Sequence, residues 1–176
     1  MAASDPRARL QPALLDRLCD DQPDIARDPD DHRGLDKTQL RAAVLRDLTW
    51  LLNTVQPLRP AEAAAAPLAA RSTLNYGLPA LSGQLATQID LGQLAAALRE
   101  AIVRYEPRIL ADTLTVGVRE DQFLLDAHNV IEFDIRGHLW AQPIPLELLL
   151  RTAFDLEAGQ VQVRDAAPAP LASGRR

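Results

Sequence analysis

Apolar and polar residues recur at two different periods along this chain, and the change between them comes near residue 107. Between residues 91 and 105 large apolar side chains return every three or four positions, which predicts an amphipathic helix. Between residues 114 and 118 they return at every second position, which is typical of a strand with one buried face. Pro107 has no amide hydrogen and disfavours helical geometry at the preceding residue, so the helix should end at Glu106. Glu106 and Arg108 therefore flank a junction between helix and sheet.

A second core helix is predicted upstream of this junction. Asp36 and Gln39 have the spacing of a capping box, and an apolar stripe at helical spacing follows them as far as Asn53. Trp50 lies off that stripe. Its position fits either a contact with another protein or the commoner place of a tryptophan at the flank of a core.

The N-terminal region is predicted to carry a short helix at 12–18 with Leu14, Leu15 and Leu18 on one side. Such a helix more often packs on its own domain, but it can equally be a docking segment for a groove on a partner. An acidic, proline-containing connector follows at 20–34 and could let the helix move away from the core.

Three further strands are predicted after the first one. Residues 130–140 give the longest alternation, and the connection before them is too short for a parallel crossover, which favours an antiparallel hairpin. Residues 146–156 fit either a strand or a helix. The turn Glu157-Ala158-Gly159 and the alternation at 161–164 favour a second hairpin.

These elements predict an α+β fold with a small antiparallel sheet of about four strands against two main helices, besides the short N-terminal helix. We expect three parts: an N-terminal arm at 1–34, the α+β domain at 35–164 and a disordered tail at 165–176. The stretch 57–70 is rich in alanine and proline and is expected to form a loop or a loose helical turn.

Composition and motif content argue against several classes of function. A net charge of −5 with scattered basic residues argues against nucleic-acid binding, and no apolar run is long enough to span a membrane. Cys19 is the only cysteine, which excludes an internal disulfide and favours a reducing compartment. No phosphate-binding loop, nucleophile elbow or zinc-binding pattern is present, so we predict no catalytic residue, cofactor or metal site.

A glycoside hydrolase is the enzymatic alternative, because any acidic protein can supply two carboxylates. Glu106 is a poor candidate for its general acid. A glycosidase acid must hold its proton, whereas the nearby cation of Arg108 favours the ionised carboxylate. The pair therefore points to structure rather than catalysis.

Several segments together carry a family resemblance. They are Tyr105-Glu106-Pro107-Arg108, 14–18 (LLDRL), 45–53 (LRDLTWLLN), 74–78 (LNYGL) and 154–159 (FDLEAG). In this combination and order the chain resembles the sheath-initiator family, which includes the TssE baseplate subunits of bacterial type VI secretion systems and a baseplate wedge protein of contractile-tailed phages. The alanine-rich stretch and the tail depart from that family.

The resemblance implies a structural adaptor without enzymatic activity that links the baseplate wedge to the sheath. It implies that Glu106, Pro107 and Arg108 face the wedge, and that a sheet edge starts the sheath by accepting strands from sheath subunits. Our candidate edge strand comprises Val161, Gln162 and Val163. A cytoplasmic protein recruited to a baseplate at the inner membrane is expected. The alternatives are a lysozyme-like hydrolase using Glu106 and a free-standing regulatory adaptor.

Overall fold

The computed structural model describes residues 10, 12–19, 24, 34–80, 89–119, 130–141 and 144–166. Most of the predicted acidic connector and residues 167–176 of the predicted tail lie outside this part. Five α-helices and four strands occur within it. They are α1 (Leu14–Leu18), α2 (Lys37–Leu52), α3 (Pro60–Ala65), α4 (Pro67–Ala70), α5 (Leu91–Tyr105), β1 (Thr115–Val118), β2 (Val130–Leu139), β3 (Leu146–Asp155) and β4 (Gln160–Asp165).

The four strands form one antiparallel sheet in the order β1-β2-β3-β4, which is also their order in sequence. This confirms the predicted α+β class. The ambiguous run at 146–156 is a strand, and Gly159 has a positive φ of 64° in the turn that joins it to β4. β4 extends through Asp165, one residue beyond the predicted end of the α+β domain at 164.

The core lies between one face of this sheet and the helices α2 and α5. Buried and more exposed residues alternate along β2 and β3, so each strand has one core face. The helix α2 packs against β4, while α5 packs against β1. The largest side chains that are fully enclosed in this core are Phe133, Leu48, Leu51, Leu98, Ile102, Ile131, Ile135, Leu139, Leu148 and Leu150.

The helix termini follow the predicted capping signals. Asp36 and Gln39 each accept a hydrogen bond from the other's backbone amide, so the capping box of α2 is complete. Asp90 accepts from the amide of Gln93 at the start of α5. Within the described residues, no helix is both long and apolar enough to cross a bilayer.

The N-terminal arm is attached more firmly than its sequence indicates. Leu10 is buried, and its amide and carbonyl both bond to Leu35 in an isolated antiparallel bridge. This bridge brings the two ends of residues 10–35 together, and α1 lies within the intervening segment. The arm is therefore anchored on both sides of α1, which limits how far α1 can move from the core.

After α2, residues 53–80 contain only short helical pieces. α3 and α4 carry no buried residue, in line with the loose helical turns predicted for 57–70. A 3₁₀ turn at Thr73–Asn75 follows, and Asn75 is buried. Gly77 has a φ of 117°, and a Cβ there would lie 2.3 Å from the carbonyl oxygen of Thr54. Only glycine fits at this close approach.

Candidate functional site

The junction after α5 brings the side chains of Glu106 and Arg108 together. The amide of Glu106 makes the last bond of the helix, to Ile102, and Pro107 then turns the chain. Arg108 Nε donates to Glu106 Oε1 at 2.6 Å, and Arg108 Nη2 donates to Oε2. Glu106 is only 3% exposed. The two side chains therefore form a pair in which the carboxylate is buried and the guanidinium is partly exposed.

A third residue, Asp47 of α2, completes the pairing. Its Oδ2 accepts a hydrogen bond from Nη2 of Arg108, so the guanidinium joins two carboxylates. Arg46 binds Oδ1 of the same carboxylate, and its Nη2 also lies 2.7 Å from Oδ1 of Asp16 in α1. We call these five residues the charge chain.

Sequence reasoning missed the charge chain beyond Glu106 and Arg108. Asp16, Arg46 and Asp47 lie within the segments LLDRL and LRDLTWLLN, which carried part of the family resemblance. Their pairing depends on how α1 and α2 are positioned in space relative to the junction after α5. No local pattern encodes that arrangement, whereas the two residues on either side of Pro107 are neighbours in sequence.

The electrostatics of Arg108 are dominated by this environment. Burial lowers the pKa of Arg108, but hydrogen bonds and charges from Glu106 and Asp47 raise it by more, so the pKa ends above its ordinary value. Arg108 is a permanent cation. Its Nη1 atom is buried and has no hydrogen-bond acceptor in the described part of the chain. Such an orphaned donor is uncommon in native structures.

Two tyrosines pack beside the junction. The rings of Tyr76 and Tyr105 meet edge to face with 5.0 Å between their centroids. The hydroxyl of Tyr105 lies 2.9 Å from the carbonyl oxygens of both Ser72 and Asn75. These contacts fix the segment 72–76, which contains the 3₁₀ turn, against the end of α5.

Exposed apolar residues lie near the other end of the charge chain. Leu14 and Leu18 of α1 are 71% and 73% exposed, and Leu15 is also exposed. Trp50 of α2 is half exposed, with its ring centroid 5.0 Å from the guanidinium carbon of Arg46. Because Arg46 contacts both Asp16 and Trp50, α1 and Trp50 lie on the same side of α2.

Comparison with known families decides what kind of protein this is. Residues 38–144 match the family described as baseplate wedge protein gp25, and the match includes Asp47, Glu106 and Arg108. The chain belongs to the gp25 family. Membership supports a structural role in a baseplate.

One solved structure is also similar to this gp25-family chain. It is titled "The baseplate complex from the type VI secretion system", and the match is 22% identical over 74% of this chain and 97% of that chain. Its TM-score is 0.42, and at that value the match supports no conclusion about this chain. No match was found among curated proteins.

In the gp25-family junction the Glu106 carboxylate acts as a hydrogen-bond acceptor for Arg108. Both oxygens of Glu106 accept hydrogen bonds from Arg108, and its Oε1 also accepts from the Arg108 amide at 3.2 Å. Both carboxylate oxygens are therefore already engaged as hydrogen-bond acceptors within the chain. No group of three or more metal-binding side chains occurs among the described residues.

Some of the outward backbone groups of the edge strand β4 are already hydrogen-bonded to Asn53, the residue that follows α2. The Ala166 amide donates to Leu149 of β3, so by the alternation of an antiparallel pair Gln162 also turns its backbone groups toward β3. Val161 and Val163 turn theirs outward. The side-chain amide of Asn53 bonds both outward groups of Val161, each at 2.9 Å. Of the predicted accepting residues, Gln162 therefore cannot offer its amide to a new strand, and Val161 is already paired.

The opposite edge strand, β1, is more open. The Arg119 amide donates to Glu132 of β2, so by the same alternation Val116 and Val118 turn their backbone groups outward. Arg99 of α5 donates to the carbonyl of Leu114, just before the strand. The described residues supply no hydrogen-bond partner to the outward groups of Val116 and Val118.

Proposed function

We propose that this chain is a structural baseplate subunit of a contractile injection machine of the type VI secretion class. In this role it joins the baseplate wedge to the contractile sheath and starts sheath assembly. The observation that carries the proposal is the gp25-family match over residues 38–144, which contains Glu106-Pro107-Arg108. It acts in the cytoplasm, on a baseplate recruited to the inner membrane.

The wedge-facing region in this proposal consists of the junction, α1 and Trp50. The charge chain holds the junction rigid, and Arg108 Nη1 remains a donor without an acceptor in the described residues. The Arg108 side chain as a whole is 22% exposed, and a carboxylate of a wedge protein would pair with the guanidinium from that exposed side. Leu14, Leu18 and Trp50 are the kind of exposed apolar anchors that partner surfaces bury.

The sheath-facing region is an edge of the sheet. An edge strand offers backbone donors and acceptors to an incoming extended segment, and the affinity comes from the main-chain hydrogen bonds. Sheath initiation by strand addition requires such an edge. Both β1 and β4 are edges of the described sheet.

The test uses the cells that encode this chain. With a fluorescent sheath subunit, deletion of the gene should remove sheath structures, and a tagged copy should restore them and co-purify wedge proteins. Arg108→Ala should reduce co-purification, while the matched control Arg164→Ala, an exposed arginine of β4, should not. Normal sheath numbers in the deletion strain would overturn the proposal.

A further inference from the structure

We infer that β1, and not β4, is the edge that accepts a strand from the sheath subunit, through the outward backbone groups of Val116 and Val118. This inference rests on the proposed function and names the accepting surface within it. The occupant is an extended segment of the sheath subunit. It adds as a fifth strand beside β1.

The first step is that β4 is held along its outer side by α2. Asn53 occupies both outward backbone groups of Val161. At the other end Arg41 donates from Nη2 to the Asp165 carboxylate at 2.7 Å, and from Nη1 to the carbonyl of Glu147. The outward groups of Val163 lie between these two anchored positions. A strand adding to β4 would have to displace Asn53 from Val161 and pass the Arg41 side chain at Asp165.

The second step is that β1 presents two consecutive outward residues. Val116 and Val118 together offer two amides and two carbonyls, which are spaced as the next strand of a sheet requires. Natural edges are commonly protected by charged residues. β4 ends with Arg164 and Asp165, whereas β1 reads Thr-Val-Gly-Val and carries no charge. β1 therefore lacks the charges that discourage pairing.

The third step concerns the side chains of the incoming segment. Val116 and Val118 are partly buried against the core, so residues that add beside them should be apolar. Thr115 and Gly117 are exposed on the other face, and a Cβ at Gly117 would meet nothing within 4 Å. The partner segment is thus expected to alternate apolar and polar residues, with room for a large side chain beside Gly117.

The experiment compares two matched proline variants in full-length protein, Val116→Pro and Val163→Pro. Both valines are partly buried and both turn their amides outward, so proline removes one edge donor without breaking the existing ladder. We expect Val116→Pro to bind wedge proteins normally but to start about fivefold fewer sheaths, the effect of losing one edge hydrogen bond. Val163→Pro should start as many sheaths as the wild-type protein. The inference would be overturned if Val163→Pro, and not Val116→Pro, reduced the number of sheaths. It would also be overturned if both variants started normal numbers of sheaths.

A second measurement needs no variant, so it holds even if Val116→Pro does not fold. Amide hydrogen exchange is followed in the wild-type chain with and without purified sheath subunits. We expect exchange at Val116 and Val118 to slow by at least about tenfold on addition, with no change at Val163. Slow exchange at Val116 and Val118 in the chain alone would show that another part of this chain covers the edge, and would overturn the inference.

Failure of this inference can be told apart from failure of the proposed function. If deleting the gene leaves sheath numbers normal, the proposed function fails regardless of which edge is open. If deletion removes sheaths but protection appears at Val163 instead, the proposed function stands and only the assignment to β1 is overturned.

Discussion

Asp16 and Arg46 form an ion pair, with 2.7 Å between Oδ1 and Nη2, that ties α1 to α2. The Asp16 side chain is 10% exposed, whereas Leu14 and Leu18 in the same helix are largely exposed. The helix α1 is therefore held by its polar side, with its leucines turned to the outside. Its attachment depends more on charge than on apolar burial.

Asp16→Asn should loosen α1 without unfolding the domain. A partly exposed ion pair contributes roughly 1 kcal/mol or less, so the melting temperature should change little. Amides at 14–18 should exchange faster than in the wild type. Arg17→Gln is the control, because Arg17 is exposed and makes no ion pair with the described residues. Equal exchange rates in both variants would show that the ion pair does not hold α1.

Replacing Leu14 and Leu18 by serine should leave stability unchanged and weaken capture of wedge proteins. Both side chains are already in water, so their loss removes almost no buried surface. Leu10→Ser is the contrasting variant, because Leu10 is buried and its change should lower the melting temperature. Point variants are preferable to deleting the arm, which would also remove Leu10. Undiminished wedge capture by the double serine variant would exclude a docking role for α1.

Arg108→Ala should destabilise the fold by about 3 kcal/mol, because it leaves the Glu106 carboxylate buried without its partner. For a chain of this size that corresponds to a fall of about 6–12 °C in melting temperature. The double variant Glu106→Gln/Arg108→Gln should lose less, since no unpaired charge stays buried. Urea unfolding of both variants measures this. A double variant less stable than Arg108→Ala would contradict the account.

Much of this fold could be predicted because its signals are local. The caps at Asp36 and Asp90, the stop at Pro107 and the turn at Gly159 each act within a few residues, and each matches the structure. Glu106 and Arg108 were found for the same reason. The other residues of the charge chain, Asp16, Arg46 and Asp47, are far from the junction in sequence and reach it only through the packing of the helices. Asp47 meets Arg108 only because of how α2 crosses the junction.

The predicted edge strand shows a different limit of sequence reasoning. Alternation along β4 identifies which side chains face the core, but the same residues also alternate in the direction of their backbone groups. That second alternation depends on the pairing with β3, which the sequence of one strand does not specify. Gln162 therefore has the expected polar side chain and an inward amide.

Gln162→Pro should destabilise the protein instead of blocking a partner selectively. Its amide faces β3, so proline removes a hydrogen bond from inside the sheet. We expect a loss of about 1–3 kcal/mol, because the facing carbonyl of β3 loses its donor, compared with a smaller loss for Gln162→Ala. Thermal unfolding of the two variants measures the difference. Equal stability would mean that the backbone of β4 is turned the other way.

Ionisation of Tyr76 should lower the free energy of unfolding at alkaline pH. Burial raises the pKa of Tyr76, and the nearby charges of Asp47 and Glu106 raise it further. Because the folded pKa lies above the unfolded value of about 10, this contribution is complete below that pH and is lost as pH rises through the folded pKa. Ultraviolet titration should show a late tyrosine transition that disappears in Tyr76→Phe. Persistence of that transition in the variant would assign it to another group.

The contact between Asn53 and Val161 joins positions 108 residues apart, and α2 packs on β4, which follows the other three described strands in sequence. During synthesis α2 leaves the ribosome well before β4 does, because about 110 residues separate them. Until then the apolar stripe of α2 lacks part of its cover, so the domain cannot complete its core before β4 has been synthesised. A premature stop anywhere in 157–159 should therefore yield a chain that proteases remove, although β1, β2 and β3 are all present.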